Sequence, residues 1–346
     1  IIMCAIIEKI QKEVPIMSTN ENKDKKAEVT ALQAISAEDR KDWISLAFVQ
    51  AGICVCVPAF LLGALLAEAM PIWPAIISGS LGYLIVVVGM VATGMIGCDL
   101  GLASCTCCQA GFGKSGARFI VSTIFAVNMI GWFGIQNGVC GEAFSNAMLA
   151  MTGWDIPVVV SNTIWGIIML LTAVYGVHAL EKLDKISIPL LMIIMCYGTF
   201  LAFKVYGTGN LNDEGTVQSM SFMSGVALSF NFTAVGTITG PDYTRFQKSR
   251  KDTVKSVFYG VFPMGVITLI MGIVLTKLSG QYDISMVLIE VGLPLLGIIA
   301  LVISTWTTNS TNAYSAGLNI VMALKLKDNR RREATLISGI VGIVLC

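Results

Sequence analysis

Five hydroxyl-bearing side chains fall on one helical face late in the chain: Ser304, Thr307, Thr308, Thr311 and Ser315, spaced i, i+3, i+4, i+7 and i+11. They belong to the run Ser304-Thr-Trp-Thr-Thr-Asn-Ser-Thr-Asn-Ala-Tyr-Ser315, which interrupts an apolar stretch that begins near Gly292 and resumes from Ala316 to Leu324. In water such a run is a loop. Inside roughly thirty residues, longer than the ~20 a bilayer requires, it is the middle of a membrane helix. Hydrocarbon offers a hydroxyl no partner. The run is therefore either glue between packed helices, where Ser and Thr are common, or a face turned to a water-filled cavity or an ion. One or two hydroxyls fit the first reading. A run this long, with Asn309 and Asn312 in it, favours the second.

Composition sets the medium. The 346 residues are 55% hydrophobic and 13% charged, with a mean hydropathy of +0.76. Globular chains carry about 25% charged residues, so this is an all-α integral membrane protein. A net charge of +1 gives no reason to expect nucleic acid as a partner. The ten cysteines lie among apolar segments without paired spacing and read as small reduced hydrophobes.

Residues 1–42 read as an N-terminal extension and a mobile cytoplasmic tail, with Met17 the first plausible start, and residues 43–346 as the transmembrane domain. Spans are expected at about 44–66, 72–96, 119–140, 158–177, 186–203, 220–239, 257–275 and 292–321. The thirteen apolar residues Ala334–Cys346 are too short to cross and read as the start of a ninth span, cut off. With the N-terminus inside, only Lys204 and Lys277 of the 23 Lys and Arg fall outside, as the positive-inside rule requires.

Two spans carry breaks. Span 1 holds Gly52 and Pro58, and span 6 holds Gly236 and Gly240-Pro241. Five spans separate them, and an odd offset reverses orientation. Interrupted helices at matching places in inverted halves point to a transporter's binding site, with freed carbonyls for a cation and helix N-termini for polar substrate atoms.

Three segments together resemble the nucleobase:cation symporter-1 family, and most closely its cytosine permease branch. They are Gly131-Trp-Phe-Gly-Ile-Gln136, Gly240-Pro-Asp-Tyr-Thr-Arg-Phe246 and Trp306-Thr-Thr-Asn-Ser-Thr-Asn-Ala-Tyr-Ser-Ala-Gly-Leu318. The resemblance implies the five-plus-five inverted-repeat (LeuT-type) transporter fold, truncated here after the start of helix 9. It implies that Trp132 and Phe232 flank a flat substrate ring from two sides and that Gln136 hydrogen-bonds its edge. Base–aromatic stacks are worth roughly 1–3 kcal/mol each and do not choose among bases; an amide, which both donates and accepts, can. Cytosine permeases tend to have glycine at the position of Gln136 and a glutamine at that of Met129, a departure that bears on cytosine as the substrate. The resemblance also implies a Na⁺ site made by Ser304, Thr307 and Thr308 facing the carbonyls of Gly52 and Val55.

The expected function is import of a nucleobase or related ring compound in symport with Na⁺, at the plasma membrane, with no other cofactor, no enzymatic activity and no obligate protein partner. An H⁺-coupled allantoin or hydantoin permease of the same family and an amino-acid symporter of the same fold are the alternatives. A membrane enzyme would need convergent titratable groups at membrane depth, and none is expected among the central span residues; a receptor would usually carry a sizeable soluble domain. Glu68, Glu142 and Glu290 read as solvated span ends, and His178 as a surface residue. Asp242 and Arg245 read as fastening a loop. Cys105-Thr-Cys-Cys108 reads as a chance cluster or lipidation site, not a zinc site.

Overall fold

A computed structural model describes residues 32–208, 211, 220–281 and 284–346, and these are helical almost throughout. The first span is two helices, α1 (Trp43–Cys54) and α2 (Val57–Ala69), which meet at 52°. The local sequence explains the break. Val55 leaves helical geometry at φ −90°, ψ 73°, and Cys56 is extended at φ −140°, ψ 159°. Pro58, which has no N–H to donate, sits in the first turn of α2, where none is needed. α3 (Ile72–Leu100) follows and ends at Gly101, whose φ of 67° is the left-handed cap that glycine adopts without strain. Two short helices, α4 (Ser104–Cys107) and α5 (Gln109–Gly116), and a π-helical segment Ala117–Ser122 lead into α6 (Thr123–Thr152). Then come α7 (Val158–Val174), α8 (Val177–Tyr206), α9 (Phe222–Thr233), α10 (Val235–Thr244), α11 (Arg250–Ser279), α12 (Ile284–Glu290), α13 (Pro294–Ala323) and α14 (Arg331–Val344).

Helices stand over all eight expected stretches. Among the described residues five are long and apolar enough to cross a membrane, six when the bent α1–α2 pair counts as one. α7 is shorter, at 17 residues, and the thirty residues of α13 are diluted by its polar run.

The helices pack as two groups. α1, α2, α3, α9, α10 and α11 contact one another around Leu66, Tyr83, Val86 and Leu269. α6, α7, α13 and α14 do so around Phe133, Met169, Tyr314 and Leu318. α8 touches α1 on one side and α13 on the other. Within the first group α2 and α11 meet backbone to backbone: a Cβ on Gly63 would lie 2.5 Å from the Leu269 carbonyl oxygen, and one on Gly272 would lie 2.4 Å from that of Phe60. A backbone oxygen inside a helix cannot swing aside as a side-chain tip can. Gly272→Ala is therefore expected to destabilise the protein by about 1–3 kcal/mol through overpacking, read as a lower melting temperature of the detergent-solubilised protein.

Two expectations need correction. Span 6 is interrupted only lightly, at Ala234, which keeps helical angles of φ −56°, ψ −32°. Gly240 and Pro241 lie inside α10 and break nothing. These small residues serve close packing on α3. A Cβ on Gly236 would lie 3.1 Å from Met90 Sδ and one on Gly240 3.1 Å from Thr93 Oγ1, while Gly97 of α3 receives Pro241 in return. Proline's lost hydrogen bond is tolerated there because neighbouring hydroxyls and backbone take up the freed groups.

The second correction concerns the tail. Residues 17–31 of it lie outside the described residues, but 32–42 are fastened to the body. Arg40 donates to the carbonyls of Cys98 (2.7 Å) and Gln247 (2.8 Å), which lie near the ends of α3 and α10. The Ile35 N–H donates to the Gly101 carbonyl at 2.9 Å. A cation at a helix C-terminus meets carbonyls that have no partner within the helix, so Arg40 docks this segment instead of leaving it floating.

Candidate functional site

The polar run of α13 divides by direction. Asn309 and Ser310 point to the neighbouring helices: Asn309 donates to the Phe133 carbonyl (3.1 Å) and Ser310 to that of Met169 (3.1 Å). The Trp306 indole N–H donates to Thr172 Oγ1 at 2.9 Å. These side chains hold α13 against α6 and α7, which is the glue reading. Thr307 and Thr308 face the break between α1 and α2. Thr308 Oγ1 donates to the Gly52 carbonyl at 2.9 Å and lies 3.2 Å from that of Ser304. Thr307 Oγ1 lies 2.9 Å from the Ser304 carbonyl and 3.4 Å from that of Gly52.

Two carbonyl and two hydroxyl oxygens thus converge in a buried setting. Hard, neutral oxygens suit a monovalent cation, whose arrival would turn the hydroxyl protons away and their lone pairs inward. Ser304 contributes its carbonyl; its own hydroxyl donates to the Leu301 carbonyl at 3.0 Å. Val55 caps α1 at the break, with its N–H bonded to the Ala51 carbonyl at 2.8 Å, but the two threonine hydroxyls bond to Gly52 and Ser304, not to Val55. Among the described residues no group of three His, Cys, Asp or Glu is placed to hold a metal.

Beside these oxygens lies a cavity with an accessible volume of about 90 Å³. Trp132, Gln136, Phe232 and Thr308 all line it, so the structure brings the expected ring-flanking residues, the expected amide and one expected cation hydroxyl to a single chamber. Trp132 and Gln136 are one turn apart on α6; Phe232 comes from the last turn of α9. The two rings do not form parallel plates. Their centroids are 6.0 Å apart with planes at 72°, an edge-to-face contact. A flat ring inserted between parallel plates needs ~7 Å, two contacts of about 3.5 Å, so here the rings close on each other and a guest must part them.

Three lining residues carry buried oxygens without hydrogen-bond partners among the described residues: Gln136 Oε1, Gln50 Oε1 and Tyr83 OH. A buried polar atom left unpaired is costly, and three around one chamber describe a wall prepared for a polar guest. Gln50 is held from α1, where its amide donates to Ser256 Oγ at 3.3 Å; Tyr83 comes from α3. Asn312 joins them from α13, donating to Asn309 Oδ1 at 3.2 Å. Neither Gln50 nor Tyr83 is singled out by spacing, but an amide in the middle of an apolar span was a visible sign.

One buried acid was also missed. The segment 178–185 reads as loop but is helical, the start of α8, and Asp184 there is fully buried.

The discounted features stay outside the chamber. His178 is exposed and lies 3.0 Å from Lys41 Nζ. Glu290 accepts from the Tyr206 hydroxyl at 2.6 Å. Asp242 accepts from the Ser104 N–H (2.8 Å) and Arg245 donates to the Tyr314 hydroxyl (2.8 Å), which ties α10 to α4 and α13. Burial pushes the Cys105 thiol up to about 12 and that of Cys108 to about 11, far from the thiolate that metal binding or acylation requires.

Residues 35–346 match the family described as permeases for cytosine/purines, uracil, thiamine and allantoin. The cytosine permease of Escherichia coli (strain K12) is 28% identical over 309 residues, which cover 88% of this chain and 71% of that protein. The purine-uracil permease NCS1 of Arabidopsis thaliana is 25% identical over 338 residues, 87% of this chain and 55% of that protein. Among solved structures, Mhp1, a nucleobase-cation-symport-1 family transporter in a closed conformation with bromovinylhydantoin bound, superposes with a TM-score of 0.80 at 18% identity, covering 93% of this chain and 74% of that one. A Na⁺-coupled sialic acid symporter superposes with a TM-score of 0.69 at 14% identity, covering 100% and 81%. At these identities the two structures share the fold.

Proposed function

The chain belongs to the family of permeases for cytosine/purines, uracil, thiamine and allantoin, the nucleobase:cation symporter-1 family, and we propose that within it this protein imports a nucleobase or related ring compound together with Na⁺. Family and fold make it a multi-pass membrane transporter and not an enzyme. The observation that carries the finer reading is Thr308, which lines the chamber and donates to the Gly52 carbonyl at 2.9 Å. A cation at that hydroxyl bears on the wall of the substrate chamber itself. Cation and substrate then favour each other reciprocally, which is the thermodynamic content of symport.

Trp132 and Phe232 take the two faces of the substrate ring, and Gln136, Gln50, Tyr83 and Asn312 its edges. Na⁺ sits among Gly52, Ser304, Thr307 and Thr308, with Val55 at the break as a further carbonyl. The group of α1–α3 and α9–α11 rocks against α6, α7, α13 and α14 to alternate access. Inward movement of one positive charge gains about 2.3 kcal/mol per 100 mV of membrane potential, enough to concentrate a neutral base. The N-terminus lies in the cytoplasm and the membrane is the plasma membrane. The number of amide groups around the chamber favours a ring with several donor and acceptor edges over an amino acid.

Uptake of radiolabelled cytosine, adenine, uracil and hydantoin into proteoliposomes, with inward Na⁺ or choline gradients, tests the reading on the full-length protein. At least one base is expected to accumulate, several-fold faster with Na⁺. Accumulation driven only by an inward pH gradient would replace Na⁺ by H⁺, and competition by amino acids instead of bases would remove the substrate class.

A further inference from the structure

The buried face of α8 is apolar except near one position. Val177, Leu180, Ile188 and Leu191 line it, with Ser187, and Asp184 stands among them. Among the described residues neither carboxylate oxygen of Asp184 has a hydrogen-bond partner. Nearby charges on the same helix are engaged elsewhere: Glu181 pairs with Lys41 and, at 2.7 Å, with Lys185, which also donates to Ser45 Oγ at 3.1 Å. An ionised carboxylate so placed is strongly unfavourable unless a cation compensates it.

What the carboxylate does meet is the broken helix. A Cβ on Gly52 would lie 2.6 Å from Asp184 Oδ1, 2.9 Å from its Cγ and 3.2 Å from its Oδ2. Only a residue without a side chain lets the acid come that close. The carbonyl of the same Gly52 accepts from Thr308 at 2.9 Å and lies 3.4 Å from Thr307 Oγ1. One residue is therefore pressed by a naked carboxylate and, through its carbonyl, joins the oxygen cluster of the candidate cation site.

We propose that Asp184 is the anionic partner of the coupling cation, balancing a monovalent ion held by Gly52, Ser304, Thr307 and Thr308. The inference rests on the cation reading of the preceding subsection. Four neutral oxygens hold an ion by dipoles alone. A full negative charge pressed against Gly52, the residue that supplies one of them, adds an attraction that salt screens little in a buried site. The ion in turn relieves the buried carboxylate, so each stabilises the other.

The test compares wild type, Asp184→Asn and Asp184→Glu. Two quantities are read: half-saturating Na⁺ for uptake by the full-length protein in proteoliposomes, and the melting temperature in detergent titrated with NaCl against choline chloride. Asp184→Asn is expected to raise half-saturating Na⁺ at least tenfold and to abolish the NaCl-dependent rise in melting temperature. Substrate affinity at saturating Na⁺ should stay near wild type, and Asp184→Glu should recover part of the Na⁺ response. A permanently neutral carboxylic acid predicts that its neutral isostere is silent; wild-type Na⁺ responses in Asp184→Asn would overturn the proposal and leave the cation reading standing. A lower melting temperature at every NaCl concentration with an unchanged salt response would do the same, marking Asp184 as structural. A wild-type protein that responds to NaCl in neither assay would overturn both.

Discussion

Replacing Thr308 with alanine is expected to raise the Na⁺ concentration needed for half-maximal uptake by roughly ten- to hundredfold, the equivalent of the ~1.5–3 kcal/mol carried by a hydrogen-bonding group facing a charge. The hydroxyl lies 2.9 Å from the Gly52 carbonyl and 3.2 Å from that of Ser304, so it belongs to both halves of the oxygen cluster. Thr307→Ala should cost less, because its link to Gly52 is longer, at 3.4 Å. Thr305→Ala supplies the control: that hydroxyl is equally buried but donates to the Leu301 carbonyl at 2.9 Å, within its own helix. It should leave the Na⁺ dependence unchanged. Thr308→Ala with wild-type uptake and wild-type half-saturating Na⁺ would remove the cation from this place.

The second large effect separates stacking from edge recognition. Trp132→Ala should weaken every transported base by a similar factor, since the indole offers a face and no code. A loss of ~1–3 kcal/mol per stack corresponds to about five- to 150-fold in affinity. Gln136→Leu should behave differently. The amide is 5% exposed and its oxygen has no partner in the wall. Sites built to hydrogen-bond a substrate group can reject an analogue lacking it by ~10⁴-fold, so the ranking of bases should change along with their affinities. Competition of labelled uptake by cytosine, adenine, uracil and hydantoin reads both. An unchanged ranking in Gln136→Leu, or a base-selective loss in Trp132→Ala, would show that the two roles are misassigned.

The spans were legible because lipid imposes one demand on every crossing segment. The break in helix 1 was legible as well, since Pro58 beside an apolar run has few local outcomes. Gly236 and Gly240-Pro241 carry the same letters and did not act alike: there the absence of side chains admits α3, a tertiary fact that no local pattern encodes. Arg40 reads as a tail residue until the carbonyl ends of α3 and α10 are placed beside it. Asp184 was hidden for a related reason. Its neighbours Glu181, Lys182 and Lys185 make the segment look like a loop, and only the recurrence of Val177, Leu180, Ile188 and Leu191 marks the face on which the acid is buried. The residues assigned by family likeness, Trp132, Gln136 and Phe232, reach one chamber, but the geometry of the two rings, edge against face, could not be read from residue types.

The burial of α13 has a consequence for how the protein is made. From Gly297 to Met322 nearly every residue of this helix is enclosed, and its hydroxyls and amides bond within the helix or to α1, α6, α7 and α10. A segment with that many polar groups partitions poorly into lipid alone. It should enter the membrane late or in company, once earlier helices can receive its side chains. The helix that carries the proposed cation oxygens is thus a guest of its neighbours during synthesis, and lesions far from the chamber, at the α6 and α7 surfaces that receive Asn309 and Ser310, should surface first as failures of insertion.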